Sequence, residues 1–140
     1  MSYINKLSLK FSANNENEAF ARLAVASFCS VRLKSLESIS DIKTVVSEAV
    51  TNAIVHGYEN KDGEVIINCE ITEDTILLEV IDNGVGIEDI EQAKTPFYTS
   101  KPEMERSGMG FTVMEGFMDK MEIISKVGEG TRVVLTKRYN

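Results

Sequence analysis

The chain contains the stretch Asp82-Asn83-Gly84-Val85-Gly86-Ile87, downstream of a second one, Glu48-Ala49-Val50-Thr51-Asn52. In the first, a carboxylate that ends an apolar run can accept a hydrogen bond from adenine, and two glycines without Cβ atoms leave room for a flat base. In the second, a carboxylate and an amide four residues apart project in the same direction from a helix. Such oxygen groups suit Mg²⁺ and phosphate, so the two stretches together predict an ATP site.

Each stretch also has a simpler interpretation. Alone, Asp82-Asn83-Gly84 is typical of an ordinary turn, because these residues are common in loops. Glu48 and Asn52 would be surface residues if they faced water. They border the apolar stripe of their helix instead of opposing it, and this position favours a functional role.

Helical periodicity predicts three helices. The first follows Asn15, which with Glu18 resembles a capping box. The second covers 40–56 and has the clearest apolar repeat, with His56 one turn beyond Asn52. The third begins at Gly110. The apolar face predicted for the first helix comprises Ala19, Phe20, Leu23, Ala24, Phe28 and Val31, with Glu18 and Arg22 facing outward.

The remaining segments predict strands and one long loop. Alternating or β-branched runs predict strands over 6–11, 64–71, 75–81, 121–126 and 131–136. The polar segment 88–107 contains both prolines and shows no period, which predicts a lid over the site. We therefore expect an α+β fold, a two-layer sandwich whose antiparallel or mixed sheet is covered by helices on one face.

Composition limits the class of protein. At 140 residues and 43% hydrophobic content, we expect one domain over 1–140. The net charge of −7 argues against direct nucleic-acid binding, which depends on Lys and Arg. No apolar run approaches the roughly 20 residues that span a membrane, and the start does not resemble a signal peptide, so we expect a cytoplasmic location with no membrane partner. Cys29 and Cys69 are expected to be buried, reduced residues without a chemical role.

Further candidates lie at the end of the lid and in the last strand. Ser107-Gly108-Met109-Gly110-Phe111 leads into a helix, where backbone N–H groups could bind a polyphosphate, or it could be a flexible loop. Lys101 and Arg106 could stabilise the γ-phosphate or be solvated cations. Thr131 opens the last strand with a hydroxyl that could bond near the base, a signal that by itself carries almost no weight. His56, the sole histidine, is more typical of a structural residue than of a catalytic one.

These segments, in this order, resemble the boxes of the ATPase and kinase superfamily that includes gyrase, Hsp90, histidine kinases and MutL. The run from Ser47 to Tyr58 and the run from Phe97 to Phe111 are more specifically similar to the sporulation anti-sigma F factors of endospore-forming bacteria. That resemblance implies a Bergerat-type ATP-binding fold. It also implies a protein serine/threonine kinase that binds and inhibits sigma factor F, and that phosphorylates an anti-anti-sigma factor with Mg-ATP.

The resemblance also assigns roles to residues. It makes Glu48 the catalytic base, Asn52 the Mg²⁺ ligand and Asp82 the acceptor for adenine. It implies a homodimer and a partner contact at Arg22. Arg106 joins Glu48 as a catalytic residue, and the expected contacts to ATP or ADP come from Asn52, Asp82, Gly84, Gly86, Ile87, Thr99, Lys101, Ser107, Gly108, Met109, Gly110, Phe111 and Thr131.

Other functions share this site. A histidine kinase catalytic domain works on a histidine in a separate helical hairpin, and a gyrase- or MutL-like ATPase needs a further domain, so the length disfavours both. A nucleotide-gated binding module would need the Asn and the glycines but no base, so Glu48 favours catalysis. Stress-response anti-sigma kinases would have the same chemistry and a different sigma factor.

Overall fold

A computed structural model of the chain describes residues 4–96 and 110–139. Its elements, in chain order, are β1 (Asn5–Ser12), α1 (Glu16–Cys29), α2 (Leu36–Asn52), a π-helical segment (Ala53–Gly57), β2 (Glu64–Ile71), β3 (Thr75–Asp82), α3 (Ile90–Ala93), α4 (Gly110–Phe117), β4 (Lys120–Lys126) and β5 (Gly130–Arg138). All five predicted strands are present, with ends within two residues of the expected positions.

The strands form one sheet in the order β1-β2-β3-β5-β4. Every pairing is antiparallel, so of the two sheet types expected, the antiparallel one is correct. Side chains of β2 alternate between buried and partly exposed because successive residues point to opposite faces. The buried face packs against the helices, which confirms the two-layer α+β architecture.

Helix α2 is longer at its start than the prediction of 40–56. Ser35 caps it by accepting a hydrogen bond from the backbone N–H of Ser38 at 3.0 Å, so the helix begins at Leu36. At the other end the α-helix stops at Asn52, and the chain continues as the π-helical segment. The apolar spacing continues through this change, and so the sequence pattern did not reveal it.

The predicted capping box of α1 is wrong. Asn15 has a helical backbone conformation and makes no side-chain cap. Its neighbour Asn14 accepts a hydrogen bond from the N–H of Glu16 at 2.9 Å instead. The cap therefore lies one residue earlier than the Asn15–Glu18 pattern indicated.

The predicted orientation of α1 is wrong in part. The buried face comprises the small residues Ala21, Val25, Ala26 and Cys29. Phe20 and Leu23 are 57% and 53% exposed, and Val31 beyond the helix is 76% exposed. Glu18 and Arg22 are partly buried against α2 instead of facing outward. Small side chains allow α1 to approach α2 closely. Phe20 and Leu23 are left on the surface, whereas Phe28 packs against the core as expected.

Cys29 and Cys69 are both buried and free, as expected. Their sulfur atoms lie 3.8 Å apart between α1 and β2. The hydrogen bond with Cys29 and burial raise the pKa of the Cys69 thiol far above its ordinary value. Both residues therefore act as small apolar groups in the core.

Candidate functional site

Glu48 and Asn52 lie together at the start of α4. A Cβ atom built on Gly110 would lie 3.1 Å from Glu48 Oε2 and 3.2 Å from Asn52 Nδ2. Gly110 is thus the residue type that lets the N-terminus of α4 approach both side chains. The positive end of a helix and two polar groups converge here, an arrangement that suits an anion with a bound cation.

Among the described residues, the side-chain amide of Asn52 has no hydrogen-bond acceptor for its N–H groups. Its Nδ2 atom is buried and has no hydrogen bond within the described part of the chain. An unpaired buried donor is costly, so this atom indicates a ligand that supplies an acceptor. A phosphate oxygen would satisfy Nδ2 and leave Asn52 Oδ1 to hold Mg²⁺. One protein ligand is enough for Mg²⁺ that is otherwise held by phosphates and water.

Asp82 is the last residue of β3 and forms the other end of the candidate site. Its side chain is 7% exposed, and its Oδ1 accepts a hydrogen bond from the N–H of Gly84 at 2.9 Å. Burial raises the pKa of Asp82 above its ordinary value, and hydrogen bonds from the backbone amides of Gly84 and Thr131 partly oppose the increase. A desolvated acceptor of this kind is suited to recognise a donor group on a base.

Gly57, which the sequence analysis missed, makes room for this carboxylate. A Cβ atom on Gly57 would lie 2.7 Å from Asp82 Oδ1, and one on Gly84 would lie 2.0 Å from the carbonyl oxygen of Gly57. That carbonyl accepts a hydrogen bond from the N–H of Val85 at 2.8 Å. The π-helical segment thus packs directly on the turn after β3. The sequence signal available was a glycine following an apolar helix.

Tyr58, also missed, holds the same turn from the other side. Its hydroxyl donates to the carbonyl of Glu64 at 2.5 Å and accepts from the N–H of Asn83 at 2.8 Å. Gly86 has a φ of +81°, and a Cβ atom there would lie 2.3 Å from the carbonyl oxygen of Lys126. Close packing therefore requires glycine at positions 84 and 86, in addition to the room for a base that was expected there.

Thr131 lies beside Asp82 on the next strand. The two residues are paired in the register of β3 and β5, and Thr131 is 8% exposed. The Thr131 hydroxyl lies 2.8 Å from that of Ser125, which also accepts from the N–H of Ile87 at 2.8 Å. Ser125 was not predicted, although it is a polar residue at an inward-facing position of β4. The structure therefore places Thr131 beside Asp82 and links Thr131 to Ile87 through Ser125. Contact of these residues with a base stays a prediction.

Arg22 is linked through Glu18 to the helix that carries Glu48. Its guanidinium lies 3.6 Å from Glu18 Oε2, and Glu18 Oε1 accepts from the hydroxyl of Ser47 at 2.9 Å. A cavity of about 280 Å³ lies here and is lined in part by Arg22, Lys43 and Glu48. The residue expected to contact a partner is therefore next to the candidate catalytic base.

Several predicted site residues lie outside the part of the chain that the structure describes. Thr99, Lys101, Arg106, Ser107, Gly108 and Met109 lie outside the described residues, as does most of the predicted lid. Gly110 is buried at the start of α4, and the Phe111 side chain packs against the core. His56 is in the π-helical segment, directly before Gly57. In the described part of the chain, no helix has the length and apolar character needed to cross a membrane.

Comparison with known proteins gives the family. The model of the histidine kinase-like ATPase domain matches residues 11–137. The chain is 56% identical over 137 residues to an anti-sigma F factor of Clostridium beijerinckii, covering 97% of this chain and 96% of that protein. It is 54% identical to one of Clostridium perfringens, covering 97% and 98%. The chain belongs to the anti-sigma F factors, within the histidine kinase-like ATPase family.

Solved structures with little sequence identity share the fold of this anti-sigma factor. The RsbU and RsbW domains of a Mycobacterium tuberculosis protein match with a TM-score of 0.68 at 19% identity, covering 96% of this chain and 32% of that one. The catalytic domain of the histidine kinase ThkA matches with a TM-score of 0.56 at 18% identity, covering 95% and 97%. Both confirm a histidine kinase-like ATP-binding fold, and a domain of this family binds nucleotide.

Proposed function

We propose that this anti-sigma factor binds and inhibits sigma factor F, and that it uses Mg-ATP to phosphorylate a serine of an anti-anti-sigma factor. The similarity to anti-sigma F factors of Clostridium supports the choice of sigma factor. The observation that carries the kinase activity is the meeting of Glu48 and Asn52 with Gly110 at the start of α4. A site for binding nucleotide alone would not need the carboxylate.

Each end of the site has a separate role in this proposal. Asp82 accepts a hydrogen bond from the adenine amino group, with Gly86, Ile87 and Thr131 bordering the base. At the other end, Asn52 would hold Mg²⁺ through Oδ1 and would donate from Nδ2 to a phosphate oxygen. Bound Mg²⁺ would neutralise charge on the phosphates.

Glu48 is the proposed general base. It accepts the proton of the serine hydroxyl while the serine oxygen bonds to the γ-phosphorus and ADP leaves with the bridging oxygen. Gly110 permits the close approach of α4 to this carboxylate. The N-terminal end of α4 then favours the negative charge of the phosphates during transfer.

Residues of the lid and of α1 complete the proposal. Thr99, Lys101, Arg106 and the segment 107–111 contact the polyphosphate, and Arg106 stabilises the charge on the transferred group. Arg22 contacts the protein partners in this proposal, which is supported by the cavity that both Arg22 and Glu48 line. The protein acts as a homodimer in the cytoplasm, and the choice between ATP and ADP shifts which partner is bound.

The test compares phosphate transfer by the wild type and Glu48→Gln. Labelled ATP, Mg²⁺ and a candidate anti-anti-sigma protein are incubated with each variant, and label on the partner is measured. We expect Glu48→Gln to reduce transfer by a factor on the order of 10² to 10⁴, the usual contribution of a general base. ATP binding should be retained.

Glu37→Gln is the matched control, because Glu37 is on the same helix, in its exposed first turn. Its transfer rate should equal that of the wild type. Equal transfer by Glu48→Gln and the wild type would refute the base assignment. If neither protein transfers label while the sigma factor still binds, the chain is a nucleotide-gated binding module instead of a kinase.

A further inference from the structure

We propose that Ser125 is a positioning residue that makes the nucleotide site select adenine over purines with an oxygen at position 6. It does so by fixing the hydroxyl of Thr131 as a hydrogen-bond acceptor toward the base. This inference rests on the proposed function, because it takes the Asp82 end of the site as the base pocket.

Ser125, Thr131 and Asp82 form a row across three strands. Ser125 of β4 is paired with Thr131 of β5, and Thr131 is paired with Asp82 of β3. Within the described residues, Asp82 and Thr131 are the polar side chains classed as buried, at 7% and 8% exposure. The row therefore brings three polar groups to the helix-covered side of the sheet, where Asp82 and Thr131 have little access to water and Ser125 is partly buried.

Among the described residues, the Ser125 hydroxyl has three hydrogen-bonding neighbours, and it has one proton to donate. The N–H of Ile87 lies 2.8 Å away and can only donate, so Ser125 must accept there. The carbonyl of Gly130 lies 3.0 Å away and can only accept, so Ser125 must donate there. Without that proton, two oxygen atoms would face each other at 3.0 Å with no hydrogen bond. The proton of Ser125 is thus committed to Gly130.

The direction of the Thr131 proton follows from this assignment. Its oxygen lies 2.8 Å from that of Ser125, so with the Ser125 proton committed elsewhere, Thr131 must donate to Ser125. The oxygen of Thr131 then keeps only acceptor capacity for a ligand. Ser125 acts on the base through Thr131 and needs no contact with the nucleotide.

Two neighbouring acceptors discriminate between purines. The amino group of adenine offers two N–H donors, which match the carboxylate of Asp82 and the hydroxyl oxygen of Thr131. A 6-oxo group is an acceptor, and it would meet both oxygens without a proton between them. Such a mismatch in a buried site is costly, because no water can replace the missing hydrogen bond.

The experiment measures the dissociation constants of ATP and of inosine triphosphate, which carries the 6-oxo group, for the wild type and Ser125→Ala. The variant frees the Thr131 proton, which can then donate to the 6-oxo group. We expect the preference for ATP to fall about tenfold, mainly through tighter binding of inosine triphosphate. An unchanged ratio of the two dissociation constants would overturn the inference, even if both affinities fell together.

Four further variants separate this role from a structural one. Ser125→Thr keeps the hydroxyl and should keep the preference for ATP. In a Thr131→Val background, adding Ser125→Ala should leave the ratio unchanged, because the effect passes through Thr131. Ser8→Ala is the control, since Ser8 also donates a hydrogen bond, to Asn68, but lies on the edge strand β1.

The outcomes distinguish this inference from the proposed function. A wild type that binds neither nucleotide would overturn both. A wild type that prefers ATP, with the same preference in Ser125→Ala, would overturn only the role of Ser125. Should Ser125→Ala fold poorly, the comparison between Thr131→Val and the wild type still tests the acceptor, and an unchanged ratio there would refute it.

Discussion

Replacing Asp82 with Asn should separate nucleotide binding from folding. Asn keeps the shape of the side chain and can still accept the hydrogen bond from Gly84, which is 2.9 Å long. It loses the negative charge, and its amide group can present donors to the donor on adenine. Hydrogen bonds to charged groups are worth about 1.5–3 kcal/mol, so we expect ATP affinity to fall by roughly 10- to 150-fold.

The same substitution should not weaken the fold at neutral pH. Asp82 is 7% exposed, and its burial disfavours the charged form. Because its pKa is higher in the folded chain than in the unfolded chain, the folded chain binds the proton more tightly. Asp82 therefore contributes stability below its unfolded pKa, and this contribution is lost as pH rises through the folded pKa. The free energy of unfolding of wild type relative to Asp82→Asn should decrease with rising pH over that range.

Two assays check this prediction. Competition with a fluorescent nucleotide gives the affinity at neutral pH, and urea denaturation gives the unfolding free energy from mildly acidic to neutral pH. Asp62→Asn, in the exposed turn before β2, is the matched control and should change neither quantity. Unchanged ATP affinity in Asp82→Asn would remove Asp82 from the base pocket, and a large loss of stability at neutral pH would refute the desolvation argument.

The glycines of the site give further predictions. Gly84→Ala places a Cβ atom 2.0 Å from the Gly57 carbonyl and should lower the unfolding free energy by about 3 kcal/mol, measured by urea denaturation. A Cβ atom on Gly116 would have no neighbour within 4 Å, so Gly116→Ala should stabilise α4 by up to about 1 kcal/mol. Equal changes in unfolding free energy for Gly84→Ala and Gly116→Ala would contradict the packing argument. Gly110→Ala places a Cβ atom 3.1 Å from Glu48 Oε2 and should reduce the rate of phosphate transfer at least tenfold, with a change of less than about 1 kcal/mol in the unfolding free energy. If this variant transfers phosphate at the wild-type rate, α4 need not approach Glu48 closely.

The sequence predicted the strands well because period-two patterns and β-branched runs follow directly from the geometry of a sheet with one buried face. It also predicted which of the described site residues meet. Glu48 and Asn52 share a helix edge, and Asp82 and Thr131 lie at strand ends that pair in the sheet. Four-residue spacing was sufficient for Glu48 and Asn52, whereas the position of Thr131 beside the base was implied only by the family resemblance.

The features that were missed depend on close packing. On α1, size favoured Phe20 and Leu23 as core residues, whereas the small Ala21 and Ala26 are buried. The π-helical segment keeps an apolar pattern, so Gly57 gave no sign that it packs on Asp82. Ser125 is a single polar residue in β4. Its proposed role depends on three neighbours that the sequence pattern does not connect to it. Such contacts become visible only when the backbone is placed.

The most direct test of the central proposal is to find which residue receives the phosphate. The full chain, Mg-ATP and a candidate anti-anti-sigma protein are incubated, and the partner is examined by intact and tandem mass spectrometry. The proposal predicts one phosphate on a serine of the partner, formed by the wild type and Glu37→Gln but greatly reduced with Glu48→Gln. Release of free phosphate without phosphorylation of the partner, or a phosphate on histidine, would contradict it.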